Sequence, residues 1–231
     1  MNKLDLINAF RPSSSKRILT CYKAFEYEYT QEDTTNEYAS KGILMHQLAE
    51  ELYNNPKLEI DDSFTKDEIN LVKGYVYYIK SIAKNANIAE VEKEVYLNNL
   101  SPYFKNSKYG KIDFVAIDIE NEKLYIVDLK TGRAKVTIRD NHQLYIYAYL
   151  AYREYIDNNP KEYISSIRIG IYQYGRESYI DIDIDELVTF IQDNIITNLD
   201  NIFIADTLTT NPNSYICKWC KGRDICEDYL E

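Results

Sequence analysis

Four short motifs have the residue types of a metal-dependent site for phosphodiester cleavage. They are Gly42-x3-His46, Gly110-x2-Asp113, Asp128-x-Lys130 and Gln143-x3-Tyr147. Carboxylate oxygens suit Mg²⁺ and Mn²⁺, and such an ion polarises a phosphoryl oxygen and makes hydroxide from bound water at neutral pH. His46 adds a candidate nitrogen ligand, and the Lys130 ammonium can offset the charge that builds on phosphorus.

The spacing within each motif places its side chains together. Lys130 lies two residues after Asp128, so both side chains point to the same face of a strand. The glycine one helical turn before His46 leaves room for a close approach, and Gln143 and Tyr147 are also one turn apart. Taken singly, these motifs have ordinary explanations, such as a solvated strand edge, a structural histidine or a polar helix surface. Taken together and in this order, they predict one active site.

Four cysteines form a second group, with the chemistry of a thiolate-held metal. Cys217-x2-Cys220-x5-Cys226 is compact enough for three thiolates on one ion or cluster, and Cys21 becomes the fourth ligand if the two ends of the chain meet. Thiolates select zinc or iron–sulfur, and the spacing alone leaves both open. Basic residues surround the three C-terminal cysteines, which indicates an exposed tail rather than buried, unliganded thiols.

The composition is that of a globular protein large enough to bury a core without disulfides. The chain has 231 residues, of which 45% are hydrophobic and 28% charged. We expect a single domain over residues 1–231. Its predicted parts are a helical part at 1–88, a catalytic sheet at 89–184, and a helix with a cysteine-rich tail at 185–231.

The sequence contains no apolar run long enough to cross a membrane and no apolar core of a signal peptide near its start. These observations predict a cytoplasmic protein without a membrane partner. In a reducing compartment, four cysteines indicate a metal site rather than two disulfides. The abundant Ile, Asn, Lys and Tyr suggest a bacterial or phage origin, and therefore a bacterial or phage-infected cell.

The net charge of −10 argues against non-specific coating of duplex DNA, because phosphate contacts usually come from Lys and Arg. Metal ligands account for part of the acidity, since a bound ion neutralises them. We expect a local basic strip beside the active site. Its candidate residues are Lys108, Lys111, Lys130, Arg133, Lys135 and Arg139, extended by Lys218, Lys221 and Arg223.

The periodicity of apolar residues predicts the elements that hold these motifs. Helices are expected at 37–54, from an N-cap at Thr65 to about residue 85, at 140–157 and at 185–204, with a short helix around Ile18 to Cys21. Strands are expected at 90–98, 111–119, 123–129, 164–173 and 177–184. This order predicts an α/β or α+β domain, with a mixed central sheet flanked by helices. The chain has no P-loop sequence.

The motifs resemble those of the PD-(D/E)XK nuclease superfamily. Asp128-Leu129-Lys130, preceded by Gly110-x2-Asp113 and followed by Gln143-x3-Tyr147, carries this resemblance. The upstream Gly42-x3-His46 is similar to the RecB-like branch. The four cysteines are similar to those of the iron–sulfur exonucleases of that branch, which include the CRISPR-associated adaptation nuclease, the AddB nuclease domain and related phage proteins.

The resemblance implies a restriction-endonuclease-like core and a set of residue roles. The implied metal ligands are His46, Asp113, Asp128 and the Leu129 carbonyl. Lys130 is the implied catalytic lysine, with Gln143 and Tyr147 in support. The implied cofactors are Mg²⁺ or Mn²⁺ at this site and a 4Fe–4S cluster at Cys21, Cys217, Cys220 and Cys226, for which Zn²⁺ is the alternative.

The sequence thus predicts a metal-dependent deoxyribonuclease, an exonuclease acting on DNA ends or single strands, with an iron–sulfur cluster joining the two ends of the chain. A separate helicase, recombination or adaptation protein is the expected protein partner. Two other functions stay open. One is an inactive nucleic-acid-binding module of the same fold, and the other is a zinc-binding adaptor for protein interaction.

Overall fold

A computed structural model of the protein describes residues 9–31, 37–104 and 108–230. After a 3₁₀ turn at Pro12–Ser14, the helices are α1 (Ser15–Thr20), α2 (Lys23–Thr30), α3 (Glu37–Asn54), α4 (Lys66–Ala83), α5 (His142–Asn158), α6 (Ile184–Ile191), α7 (Thr197–Ile204) and α8 (Ser214–Cys217). The strands are β1 (Ile88–Tyr96), β2 (Lys108–Asp118), β3 (Lys123–Lys130), β4 (Ser166–Gln173) and β5 (Arg176–Asp183).

The five strands form one mixed sheet in the order β1-β2-β3-β4-β5. Strands β1, β2 and β3 are antiparallel neighbours, β3 and β4 are parallel, and β4 and β5 are antiparallel. A parallel pair needs a crossover connection, which α5 provides between β3 and β4. The expected mixed sheet flanked by helices is confirmed.

Two apolar clusters cover the two faces of the sheet. On β3, Leu124 and Ile126 belong to the cluster that contains α5, whereas Val127 and Leu129 belong to the cluster that contains α3 and α4. Side chains alternate between the faces of a strand. Asp128 therefore shares the α5 side of the sheet with Leu124 and Ile126.

The longer helices follow their local sequence signals closely. Helix α3 has the predicted bounds, and α4 begins at the predicted N-cap. Thr65 accepts a hydrogen bond from the backbone N–H of Glu68, whose carboxylate accepts one from the Thr65 N–H, so the predicted capping box is confirmed.

Three expectations near the chain ends were wrong. The single helix expected at 185–204 is interrupted by a π-helical segment, Gln192–Ile196, in which the Thr197 hydroxyl donates a hydrogen bond to the Gln192 carbonyl. Helix α2 was not expected, and it buries only Ala24 and Phe25. Cys21 lies just beyond the end of α1 rather than within it.

Among the described residues, no helix is both long and apolar enough to cross a membrane.

Replacing Thr65 with alanine should lower the free energy of unfolding by about 1 kcal/mol, because it removes the side-chain acceptor at the start of α4. Chemical denaturation measures this loss. Lys66→Ala, at the exposed first residue of the same helix, is the matched control and should change stability far less. Equal losses in the two variants would show that the cap contributes nothing specific.

Candidate functional site

Three acidic residues stand side by side on three neighbouring strands. In the β1–β2 register Val91 pairs with Phe114, so the next residue, Glu92, lies opposite Asp113. In the β2–β3 register Phe114 pairs with Val127, so Asp113 is also level with Asp128. The sheet therefore sets these carboxyl groups in one row across β1, β2 and β3.

His46 reaches this row from α3, on the other side of the sheet from α5. Its Nδ1 lies 3.2 Å from Asp113 Oδ1 and 3.9 Å from Glu92 Oε1. Ligand atoms of His46, Glu92 and Asp113 lie within 4.8 Å of one another, and no other three His, Cys, Asp or Glu residues among those described come so close. The three side chains are the candidate metal ligands of this site.

Glu92 is a candidate ligand that the sequence motifs missed, and it adds to the expected set of His46, Asp113, Asp128 and Leu129, which stays a prediction. Its backbone has φ 49°, a strained conformation for a residue other than glycine, and it lies in the middle of β1. Such strain collects at functional sites. The sequence carried little signal for it, because Glu92 is one of three glutamates at alternate positions of the same strand.

The backbone N–H of Leu129 has a role that the sequence did not predict. This N–H donates a 2.7 Å hydrogen bond to Asp113 Oδ2. The bond orients the carboxylate so that its other oxygen, Oδ1, faces His46. The role of the Leu129 carbonyl as a metal ligand stays a prediction.

Asp128, Lys130 and Gln143 form a connected group on the α5 side. Lys130 Nζ lies 2.8 Å from Asp128 Oδ2 and donates a 3.2 Å hydrogen bond to Gln143 Oε1. The Gln143 amide donates to Asp128 Oδ1 at 3.5 Å. Asp128 is buried, and burial raises its pKa to about 6 despite the opposing effect of Lys130. Asp128 and Gln143 therefore fix the Lys130 ammonium beside the acidic row.

Cationic side chains balance the negative charge of the acidic row. Burial opposes the charge on His46, but Asp113 and Glu92 outweigh it and raise the imidazole pKa to about 10. Lys111 Nζ lies 3.7 Å from Glu92 Oε2, at the exposed side of the site. Because a metal binds neutral imidazole, an ion at this position would replace the proton on His46.

Two glycines allow close packing around the site. Gly42 lies on α3, where an added Cβ would be 3.2 Å from Thr131 Oγ1, just beyond β3. Gly110 has φ +77°, and its Cβ would lie 3.1 Å from the hydroxyl of Tyr147 on α5. Tyr147 is buried beside β2, so it supports the strand that carries Asp113.

The two ends of the chain meet, as the cysteine hypothesis requires. The Lys23 N–H donates to the Thr209 carbonyl at 2.9 Å, and the Asn211 N–H donates to Cys21 Sγ at 3.3 Å. Cys21 packs against Ile216, beside Cys220.

The remaining cysteines lie in the same region. Cys217 is buried one residue after Ile216. Burial and a hydrogen bond with Cys226 raise the pKa of Tyr27 to about 12, and Cys220 also lies near the same phenol. The structure thus gathers all four cysteines around the joined chain ends.

Comparisons with known proteins identify a family without naming an activity. The family model described as "Protein of unknown function (DUF2800)" matches residues 9–231, so the chain belongs to that family. No curated protein matches the sequence. Among solved structures, the one titled "Crystal structure of SSO0001" is similar at 17% identity and a TM-score of 0.41, covering 94% of this chain and 86% of that one.

Replacing Gly110 with alanine should lower the free energy of unfolding by about 1–2 kcal/mol, because alanine is strained in a left-handed backbone conformation. The close contact of the added Cβ with Tyr147 should lower it further. Gly175→Ala is the matched control, because Gly175 has φ +73° and open space around its Cβ position. The difference between the two losses, measured by denaturation, isolates the Tyr147 contact. Equal losses would contradict tight packing of Tyr147 on β2.

Proposed function

We propose that this member of the DUF2800 family is a metal-dependent deoxyribonuclease that acts on DNA ends or single strands. The observation that carries the proposal is the row of Glu92, Asp113 and Asp128, closed by His46 at one side and by Lys130 at the other. Carboxylates and an imidazole can hold a divalent ion for phosphodiester hydrolysis, and a fixed ammonium can stabilise the charge that develops on the phosphate.

The donor set fits a hard divalent cation. Glu92 and Asp113 lie directly across two strands, a placement in which like charges destabilise a sheet unless a cation lies between them. Oxygen ligands with one imidazole suit Mn²⁺ or Mg²⁺. His46, Glu92 and Asp113 would hold the ion, with Asp128 beside them. When bound, it would supply a polarised phosphoryl oxygen and a hydroxide nucleophile.

Lys130 is the residue of the chain suited to act on the phosphate itself. Burial opposes its charge, but Asp128 raises its pKa, so the amine stays protonated at neutral pH. Asp128 and Gln143 fix the position of the ammonium beside the acidic row. A fixed positive charge stabilises the extra negative charge of the transition state without reorganising at the moment of reaction.

Part of the expected basic strip is available to DNA beside this site. Arg133 and Lys135 are exposed on the segment that follows β3, directly after Lys130. Arg139 is exposed and paired with Glu186, and Lys111 is half exposed beside Glu92. The Lys108 side chain lies outside the described residues. These cations support local phosphate binding by a chain whose net charge is negative.

We further propose that Cys21, Cys217, Cys220 and Cys226 hold one 4Fe–4S cluster. The resemblance to the iron–sulfur exonucleases supports a cluster over zinc, and the N–H of Asn211 bonds to Cys21 Sγ in the manner that tunes cluster sulfurs. The cluster would close a loop of nearly the whole chain, so its binding should stabilise the fold.

Asp113→Asn, Asp128→Asn and Lys130→Ala should each slow Mn²⁺-dependent digestion of end-labelled DNA by about 100-fold or more, because each removes charge stabilisation or metal binding. His46→Ala and Glu92→Gln should chiefly raise the Mn²⁺ concentration needed for half-maximal rate. Circular single-stranded DNA tests whether a free end is required.

The matched control for this series is Asp118→Asn. Asp118 is buried at the far end of β2, where it accepts hydrogen bonds from Asn121. That variant should keep full nuclease activity. Unchanged cleavage by purified Asp128→Asn protein would refute the proposed site, and DNA binding without cleavage by the unaltered protein would favour the inactive binding module.

Cys21→Ser should lose bound iron, brown colour and thermal stability together, and Cys226→Ser should do the same. Thr20→Ser, at the neighbouring residue, is the control and should keep all three. Anaerobic purification with metal analysis and absorbance spectra provides the measurement. Stoichiometric zinc without iron would favour the adaptor hypothesis.

A further inference from the structure

We propose that a cavity between the N-terminal helices and the cysteine-rich tail binds the phosphate groups of a nucleic-acid strand. It has a volume of about 770 Å³, and none of the residues of the acidic row lines it. The phosphate site stands independently of the proposed nuclease activity. The choice of nucleic acid as the source of the phosphates rests on the proposed nuclease function.

The lining of this cavity is strongly basic in a chain of net charge −10. Among the residues that the structure describes, its cationic lining residues are Arg11, Arg17, Lys218, Lys221 and Arg223, and its acidic ones are Glu28 and Asp224. Asp224 and Arg223 are both well exposed, so water screens their pairing at 3.3 Å. Cations thus outnumber acids among the described lining residues, which favours an anion as the ligand.

A buried carboxylate positions two of these cations. The Glu28 side chain is 6% exposed, and its Oε1 accepts a 3.0 Å hydrogen bond from Arg17 Nε. Its Oε2 lies 3.7 Å from Lys221 Nζ, which also donates to the Gln31 carbonyl at 3.3 Å. One buried anion thus orients two cations, and preorganised groups lose less entropy when a ligand binds.

The size and walls of the cavity favour a nucleotide chain over free phosphate. The cavity is far larger than one phosphate ion. Trp219, 60% exposed, lies in its wall, and the Lys218 ammonium is 5.3 Å from the centre of the indole ring. An exposed indole next to cations can stack on an unpaired base while the cations contact the backbone.

Both ends of the chain build this cavity, and one of its walls contains Cys220. Burial raises the pKa of Cys220, whereas nearby Arg17 acts in the opposite direction. The turn Pro12–Ser14 in the other wall packs against α5, which carries Gln143. A metal or cluster that held Cys220 would therefore also hold one wall of the cavity in place. The other wall rests on α5, the helix that carries Gln143 of the acidic site.

Binding of a labelled single-stranded oligonucleotide in EDTA, followed by fluorescence polarisation, tests the proposal in the full-length protein. The double variant Lys218→Glu with Arg223→Glu should raise Kd by about tenfold or more and reduce the log–log salt slope by about 1.4, or 0.7 for each lost contact. Lys161→Glu, an exposed charge reversal before β4 at the far end of the sheet, should change neither value. Circular dichroism checks that the variants fold.

Trp219 is the single tryptophan of the chain, so its fluorescence reports on this cavity alone. Oligonucleotide should quench it in the unaltered protein. Equal affinities for the double variant and the unaltered protein, without quenching, would overturn the site. Quenching by pyrophosphate but not by oligonucleotide would overturn nucleic acid as its ligand. An unaltered protein that binds at this cavity yet never cleaves DNA would contradict only the nuclease proposal.

Discussion

Repulsion among Glu92, Asp113 and Asp128 is the constraint around which the site is built. The strand registers set these carboxyl groups in one row, and like charges so placed destabilise a sheet. Neighbouring cationic side chains offset that repulsion. Asp113 and Glu92 raise the pKa of His46 to about 10 against the effect of burial, and the Lys130 ammonium lies 2.8 Å from Asp128. Positive charge on both sides thus offsets the repulsion within the row.

The position of this row in the sheet explains why helices from both sides reach it. Strand β3 has one core cluster on each face, and its last residues lie where the two helical layers approach each other. Helix α3 brings His46 from one side and α5 brings Gln143 from the other. Ligands on rigid elements keep their geometry better than ligands on loops. Gly42 and Gly110 let these elements pack closely, because a side chain at either position would crowd its neighbour.

Signals confined to a few neighbouring residues predicted most of the elements. The capping box at Thr65 and the apolar period of α3 act within one or two helical turns, so the sequence shows them directly. The interruption of the helix after β5 was missed because it consists of a locally shifted hydrogen bond, from the Thr197 N–H to the Gln192 carbonyl, which side-chain patterns do not report. Helix α2 was missed because it buries so few side chains.

By itself, the sequence determined the motif pairs whose members share one strand or one helix, such as Asp128 with Lys130, because backbone periodicity sets their relative directions. It also indicated Cys21 and the C-terminal cysteines as partners, but only the tertiary structure brought the chain ends together. Glu92 became a candidate ligand through the pairing of β1 with β2, which no local pattern encodes. The basic cavity likewise exists only because residues from both ends of the chain form its walls, and contacts between residues so distant in sequence arise from packing alone.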